Sequence, residues 1–313
     1  MGRMRAPKMH ADEVDLDAPL VGRLVAGQFP RWAGLPVRRL ASSGTENAMY
    51  RLGADKVVRL PRHPGAVESV AHEQRWLARL GPKLPVAAPV PLELGAPGEG
   101  FAWPWSVYRW LDGANPVAGA VEKPRALAAD LAAFVTALRG IGTRGGPPNP
   151  RGVPLAERDT PTRDALARLA GRIDTTAVTA LWEEALRAPE HSEPPAWAHA
   201  DLMPGNVLVR DGRLTAVIDF GCVGVGDPAV DLIVAWNLLP ASARAVFREG
   251  VGADDAEWAR GRGWALSISL IQLPYYQETN PPLAKNSRHV IREILAEART
   301  GGAPSATAPY SPS

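Results

Sequence analysis

Asp201 and Asn206 lie five residues apart in the loop His199-Ala200-Asp201-Leu202-Met203-Pro204-Gly205-Asn206, which runs straight into the apolar stretch Val207-Leu208-Val209. Asp211-Gly212 follows, a dipeptide that favours the type I′ hairpin turn because both of its positions tolerate positive φ. The return stretch Leu214-Thr215-Ala216-Val217-Ile218 ends in Asp219-Phe220-Gly221. Such a hairpin carries Asn206, just before its first strand, close to Asp219, just after its second. Two hard oxygen donors aimed at one point suit Mg2+ bound to nucleotide phosphates. Asp201 shares the loop and is free to accept a proton from an incoming hydroxyl. Phosphoryl transfer asks for little beyond a metal, positioning and an acceptor base. A surface hairpin rich in Asp and Asn is the bland alternative; it does not account for Gly226-Asp227-Pro228 and Asp231 downstream.

The run from His199 to Gly221, with 13 residues from Asn206 to Asp219, matches the H-x-D-x-x-x-x-N loop and D-F-G motif of protein kinases. The wording of HADLMPGNVLV, VIDFG and GDPAVDL is not that of protein kinases, however. It resembles the aminoglycoside phosphotransferase family, small-molecule kinases with H-G-D-x-x-x-x-N followed by I-D-F/W and G-D-P-x-x-D-L. The resemblance covers roughly Val37 to Arg299. It implies an α+β, protein-kinase-like two-lobe fold with a small β-rich N-lobe and a larger α-rich C-lobe. It also implies ATP (or GTP) and Mg2+ as cofactors, Asp201 as catalytic base, and Asn206 and Asp219 as metal ligands. His199 supports the loop, and Asp227 is expected to brace it through hydrogen bonds.

A kinase of this fold needs a cation on a small-lobe strand for the α- and β-phosphates, oriented by a helix carboxylate. Strand alternation in Val57-Val58-Arg59 puts Val57 and Arg59 on one face. Val57 then covers the adenine while Arg59 reaches the phosphates, in the place where the family has Lys. Lys56 lies on the opposite face beside a turn. Glu73 is the expected helix partner, with Glu68 as its rival. Ser43 and Gly44 belong to the polar loop Ser42–Asn47, which stands in for a Gly-rich loop. Tyr108 and Trp110 fall in the stretch Ser106–Gly113, which resembles the family's hinge, and Ile218 closes the other side of the adenine slot.

These groups need a framework, and the local patterns supply one. Val37–Leu40, Ala48–Leu52, Lys56–Leu60, Val90–Leu94 and Trp105–Leu111 read as strands, and Ala66–Leu80 as a helix between Pro61 and Pro82. Beyond Asp112-Gly113 the pattern is helical: 126–138, 162–169, 177–187, 231–239, 241–249, 255–274 and 287–299. The expected organisation is a poorly ordered segment 1–15, a nucleotide-binding lobe 16–112, a catalytic and acceptor-binding lobe 113–299, and a disordered Gly/Pro/Ser-rich tail 300–313.

Composition narrows the functional classes. A net charge of +2 over 313 residues, with no dense basic cluster, argues against a nucleic-acid partner. The single cysteine, Cys222, excludes an intrachain disulfide and a Cys-based zinc site, and no two of the six histidines stand at i, i+4. No run is long enough to cross a bilayer and no apolar stretch follows the basic N-terminus, so no membrane partner and a cytoplasmic location are expected, for a monomer or homodimer. The family resemblance implies a small-molecule hydroxyl as the acceptor. Trp236, Asn237, Trp264, Gln272, Tyr275, Tyr276 and Glu278 are candidates for its walls, although the aromatics are more often core. Asp231 either joins that wall or caps a helix. A strongly acidic lining, suited to polycationic aminoglycosides, is not evident. An antibiotic is the leading acceptor; a sugar or amino alcohol, or a nucleotide-binding pseudokinase, are the alternatives.

Overall fold

The computed structural model describes residues 13–41 and 44–301. The expectations for the first residues, for Ser43 and for most of the tail lie outside the described residues.

The chain opens with a helix that the strand-rich reading did not anticipate, α1 (Ala18–Gln28). Asp17 caps it by accepting from the Leu20 N–H, and Val21, Leu24 and Val25 form its buried stripe. Then come β1 (Val37–Arg39), β2 (Asn47–Leu52), β3 (Lys56–Pro61), α2 (Val67–Leu80), β4 (Pro91–Gly95) and β5 (Trp105–Arg109). The five strands form one antiparallel sheet in the order β1-β2-β3-β5-β4. Alternation along β2 and β3 divides the side chains between two faces. Tyr50, Leu52, Val58 and Leu60 pack with α1 in a separate small core. Val57 and Tyr108 face the other way and join the main core with Trp76 and Leu77 of α2.

The rest is mostly helical. α3 (Pro124–Arg139), α4 (Asp159–Arg168), α5 (Thr175–Arg187), α6 (Val234–Asn237), α7 (Ala241–Val251), α8 (Asp255–Tyr276) and α9 (Pro281–Gly301) enclose a core that holds Trp182, Trp197, Trp236 and Trp264. Two small sheets lie where helices and β-sheet meet: β6 (Ala196–Ala198) with β9 (Gly224–Gly226), and β7 (Val207–Arg210) with β8 (Arg213–Val217). The helix expected over 231–239 is a 3-10 stretch, Pro228–Ile233, continued by the short α6.

The β7–β8 hairpin turns at Asp211 (φ 52°) and Gly212 (φ 73°), the positive pair that a type I′ turn requires. Asp130 of α3 fixes it from below, accepting from Arg213 Nε at 2.7 Å and Nη2 at 2.6 Å and from the Leu214 N–H at 3.1 Å. On its other edge Val209 exchanges two backbone hydrogen bonds with Ala114. A hairpin held on both sides can present its ends accurately, and both ends enter the candidate site.

Candidate active site

The loop before β7 is held at several points. Asp231, fully buried, accepts from the His199 N–H at 2.9 Å and the Ala200 N–H at 2.7 Å. This corrects the role given to Asp227: the carboxylate that braces the catalytic loop is Asp231. Burial pushes the Asp231 carboxyl above its ordinary range, against the nearby His199 and the two N–H donors. Asp227 caps the 3-10 stretch by accepting from Ala229 and is gripped by Arg260 Nε at 2.7 Å. The brace holds Ala200 at φ 65°, a left-handed conformation, where the family pattern has Gly.

His199 is buried and works as a strut. Its Nδ1 accepts from the Asp201 N–H at 3.3 Å, which leaves Nε2–H to donate to the Ile218 carbonyl at 3.1 Å. The loop before β7 is thereby tied to the end of β8. Asn206 makes a second tie: its carbonyl accepts from the Ile218 N–H at 2.9 Å. Its Nδ2 donates to the Asp201 carbonyl at 2.9 Å and to Asp201 Oδ2 at 2.8 Å. Asn115 clamps the turn from outside, donating to the carbonyls of Gly205 (2.8 Å) and Val207 (3.0 Å). The loop carrying Asp201 and Asn206 is thereby fastened to Ile218, the residue before Asp219.

On the sheet side, Arg59 Nη1 bonds Glu73 Oε2, and Nη2 bonds Asp219 Oδ1 at 2.7 Å. With its amide oxygen turned to the guanidinium, Asn47 accepts from Nη2 at 2.9 Å and Nε at 3.0 Å. Burial works against the Arg59 charge, but Asp219 and Glu73 outweigh it and hold the guanidinium more firmly protonated than usual. Desolvation likewise opposes ionisation of Asp219, yet Arg59 keeps that carboxyl below its ordinary range. Lys56 is on the opposite face, bonded to Asp55 at 2.6 Å and set over the Trp32 ring. Glu73 is the helix partner of Arg59; Glu68 is an acidic residue of the first turn of α2.

The side chains of the hinge residues Tyr108 and Trp110 are held by neighbours. The Tyr108 hydroxyl donates to Glu73 Oε2 at 2.8 Å, so its ring braces the ion pair. Burial, then Glu73, raises the pKa of that hydroxyl. The Trp110 backbone N–H donates to the Asp55 carbonyl at 2.8 Å, its indole N–H donates to Asp112 Oδ1 at 2.8 Å, and the ring stacks under Arg51 at 3.6 Å. Gly44 is exposed, Val57 is 8% exposed and Ile218 half-buried.

The donor set fits Mg2+. Among the described residues the Asn206 side chain hydrogen-bonds only through Nδ2, leaving its amide oxygen for a cation, and Asp219 keeps 35% of its side chain open. Among the described residues no three His, Cys, Asp or Glu side chains converge, so phosphate oxygens and water would complete the coordination, as Mg2+ prefers.

Of the acceptor-wall candidates, Trp236 and Trp264 are fully buried and Asn237 nearly so, bonded to Asn286. These three are core. Tyr276, at the end of α8, reaches the Thr45 side chain of the loop before β2. Sequence reasoning missed one residue altogether. Arg151, in the loop between α3 and α4, bonds Asp201 Oδ1 and donates to the Ala200 carbonyl at 2.9 Å.

Asp201, Asn206, Asp219 and the buried cation Arg59 gather around one hairpin beside an antiparallel sheet, the arrangement of a kinase-type phosphotransferase. The model of the phosphotransferase enzyme family matches residues 37–264, well over half of the chain, and the chain belongs to that family. It is a small-molecule kinase. No curated protein sequence matches it. Among solved structures, the GDP complex of wild-type aminoglycoside 2′-phosphotransferase-IIIa is similar over 90% of this chain and 100% of that one, at 19% identity and a TM-score of 0.71. The macrolide 2′-phosphotransferase MphH from Brachybacterium faecium is similar over 88% and 97%, at 23% identity and a TM-score of 0.58. At these identities the likeness is one of fold. No helix among the described residues is long and apolar enough to cross a membrane.

Proposed function

We propose that the chain moves the γ-phosphoryl group of ATP (or GTP), with Mg2+, to a hydroxyl of a small molecule, an antibiotic being the leading class. Residues 16–112 form the nucleotide lobe in this reading, and 113–299 the catalytic and acceptor lobe. One observation carries it. The Asn206 side chain holds Asp201 while its backbone is bonded to Ile218, next to Asp219, so base and metal donors share one rigid turn.

The acceptor oxygen attacks the γ-phosphorus as the bond to the β–γ bridging oxygen breaks. Asp201 takes the hydroxyl proton, and ADP and a phosphate monoester leave. Bound Mg2+ supplies neutralisation of the charge on the β- and γ-oxygens. Arg59, oriented by Glu73, meets the α- and β-phosphates. Val57 and Ile218 wall the adenine, and Gly44 belongs to the loop over the phosphates.

Kanamycin and gentamicin are bound by proteins of similar fold, which supports an antibiotic acceptor. A second reading, a neutral polyhydroxylated acceptor such as a sugar, is favoured by Arg151 beside the base. A polycation would meet that guanidinium at the reacting hydroxyl.

An ATP-consumption screen with aminoglycosides, macrolides, cyclic peptide antibiotics, sugars and amino alcohols tests the proposal. At least one should be turned over, and Asp201→Asn should lower kcat with it by at least about 10²-fold while nucleotide binding persists. Near-wild-type turnover by Asp201→Asn would remove the base from Asp201.

A further inference from the structure

We propose that Arg151 is a second catalytic cation, one that meets the transferred phosphoryl group from the acceptor side while holding Asp201 in place. The inference rests on the phosphotransferase reading above and adds a residue to it.

Three observations carry it. The first is how the loop is built. Pro147 and Asn149 are stitched to Val225 by backbone bonds of 2.8 and 3.0 Å, and the Gly152 carbonyl accepts from the Asp227 N–H at 3.0 Å. The Asn149 side chain, 2% exposed, donates to the Ala198 carbonyl and accepts from the Arg151 N–H at 2.8 Å. Glycines allow this closeness: a Cβ on Gly224 would stand 2.7 Å from Asn149 Cα, and one on Gly226 would stand 2.5 Å from the Gly152 oxygen. The loop is fastened to β9 without any help from the Arg151 side chain. That side chain is aimed by the loop and does not hold it.

The second is where it is aimed. Arg151 uses Nη1 for both Asp201 Oδ1 and the Ala200 carbonyl. Its Nε and Nη2 make no hydrogen bond among the described residues, and 29% of the side chain is open. A guanidinium has five N–H donors in a planar fork, so one edge can hold a carboxylate while the other faces phosphoryl oxygens.

The third is the charge balance of the cleft. Leu202, Met203, Pro204 and Gly205, between the base and Asn206, carry no cation. Arg59 is engaged on the far side with Glu73 and Asp219. An anionic phosphoryl approaching the Asp201 carboxylate would be repelled unless a positive group stood between them. Arg151, bonded to Asp201 Oδ1, is the cation at that carboxylate. Charge that spreads over the equatorial oxygens in the transition state is then met by a fixed donor.

The test uses the full chain and Mg·ADP with and without aluminium fluoride, whose anion takes the place of the transferring phosphoryl group, read by isothermal titration. Wild type should bind Mg·ADP more tightly with fluoride. Arg151→Ala should keep Mg·ADP affinity within about twofold and lose at least about tenfold of the fluoride-dependent gain. Arg151→Lys should recover part of that gain, since charge survives and the fork does not. Thermal unfolding checks that each variant is folded, and Arg151→Gln replaces the alanine variant if that one is not. Full fluoride-dependent tightening in Arg151→Ala or Arg151→Gln would overturn the inference. So would equal weakening with and without fluoride, which would mark a structural role. Normal Mg·ADP binding by wild type with no fluoride effect would overturn it and leave the phosphotransferase reading standing. No Mg·ADP binding by wild type would overturn both.

Discussion

Glu73 Oε1 accepts the backbone N–H of Phe220 at 2.9 Å, while Oε2 of the same carboxylate holds Arg59 and the Tyr108 hydroxyl. One buried side chain on α2 thus fixes both the cation of β3 and the backbone immediately after Asp219. The position of α2 and the metal-donor turn cannot change independently.

Removing that carboxylate should affect stability and nucleotide binding together. Glu73→Ala leaves a buried guanidinium with one fewer partner and the Phe220 N–H with none. Breaking a buried pair in this way costs about 3–5 kcal/mol. Glu73→Gln keeps an acceptor for Phe220 but turns an amide toward Arg59, so a smaller loss, about 1–3 kcal/mol, is expected. Urea unfolding of both variants, with ATP titrations, checks the order. Equal stability of Glu73→Ala and wild type would show that the link carries no energy.

Arg59 and Lys56 stand three residues apart on opposite faces of β3, and the two faces predict opposite outcomes. Arg59→Ala should raise KM for ATP and lower kcat, because a positioned cation acts on ground state and transition state together. Arg59→Lys should keep part of the activity. Lys56→Ala should change little, since it loses only an exposed pair with Asp55 and a contact with Trp32. A crippling Lys56→Ala beside a mild Arg59→Ala would contradict the strand register.

Alternation made Arg59 legible in the sequence, and the spacing of Asp201, Asn206 and Asp219 did the same for the hairpin. The rest was hidden for identifiable reasons. Asp231 reads as an acceptor-wall residue or a helix cap, and neither reading points to the loop brace it forms once the fold brings it to His199, 32 residues away. Arg151 reaches Asp201 across 50 residues from a Gly/Pro-rich stretch that reads as a linker. Tyr108 was assigned by its place in the hinge, whereas its pairing with Val57 turns the ring toward α2. α1 did leave a signal, the Asp17 cap with Val21, Leu24 and Val25 at helical spacing; a strand-rich neighbourhood masked it.

Asp231→Ala should leave two buried N–H groups without acceptors, at about 1–3 kcal/mol each. Ala200 would then lose the bond that helps to hold it at positive φ, and kcat should fall more than nucleotide affinity. Asp227→Ala should cost stability through Arg260 with a smaller effect on kcat. Steady-state kinetics beside denaturant curves separate the two carboxylates; a larger kcat loss in Asp227→Ala would restore the role first assigned to it.

Cys222 is partly buried beside Arg151, Asp201 and Asp219, and burial pushes its thiol up to about 11, with Arg151 pulling the other way. A raised pKa means that the reactive thiolate forms only as pH rises toward that value. Alkylation by iodoacetamide at pH 8 should therefore run about 10²-fold slower than for a free thiol, and gain about tenfold per pH unit above that. A labelling rate that levels off near pH 8.5 would show an ordinary exposed cysteine.

Asp219 carries a prediction whose sign depends on its bond to Arg59. The Asp219 carboxylate occupies Arg59 Nη2 at 2.7 Å. Asp219→Ala removes a metal donor and at the same time releases the cation. Binding of MgATP should weaken by at least about tenfold, because Asn206 alone is a poor Mg2+ ligand. Metal-free ATP should bind as well as before or more tightly, since its phosphates no longer compete with a carboxylate for the guanidinium. Titrations of wild type and Asp219→Ala with ATP, in Mg2+ and in a chelator, give the four values needed. Equal weakening in both conditions would make Asp219 a structural residue and leave Asn206 without a metal to share.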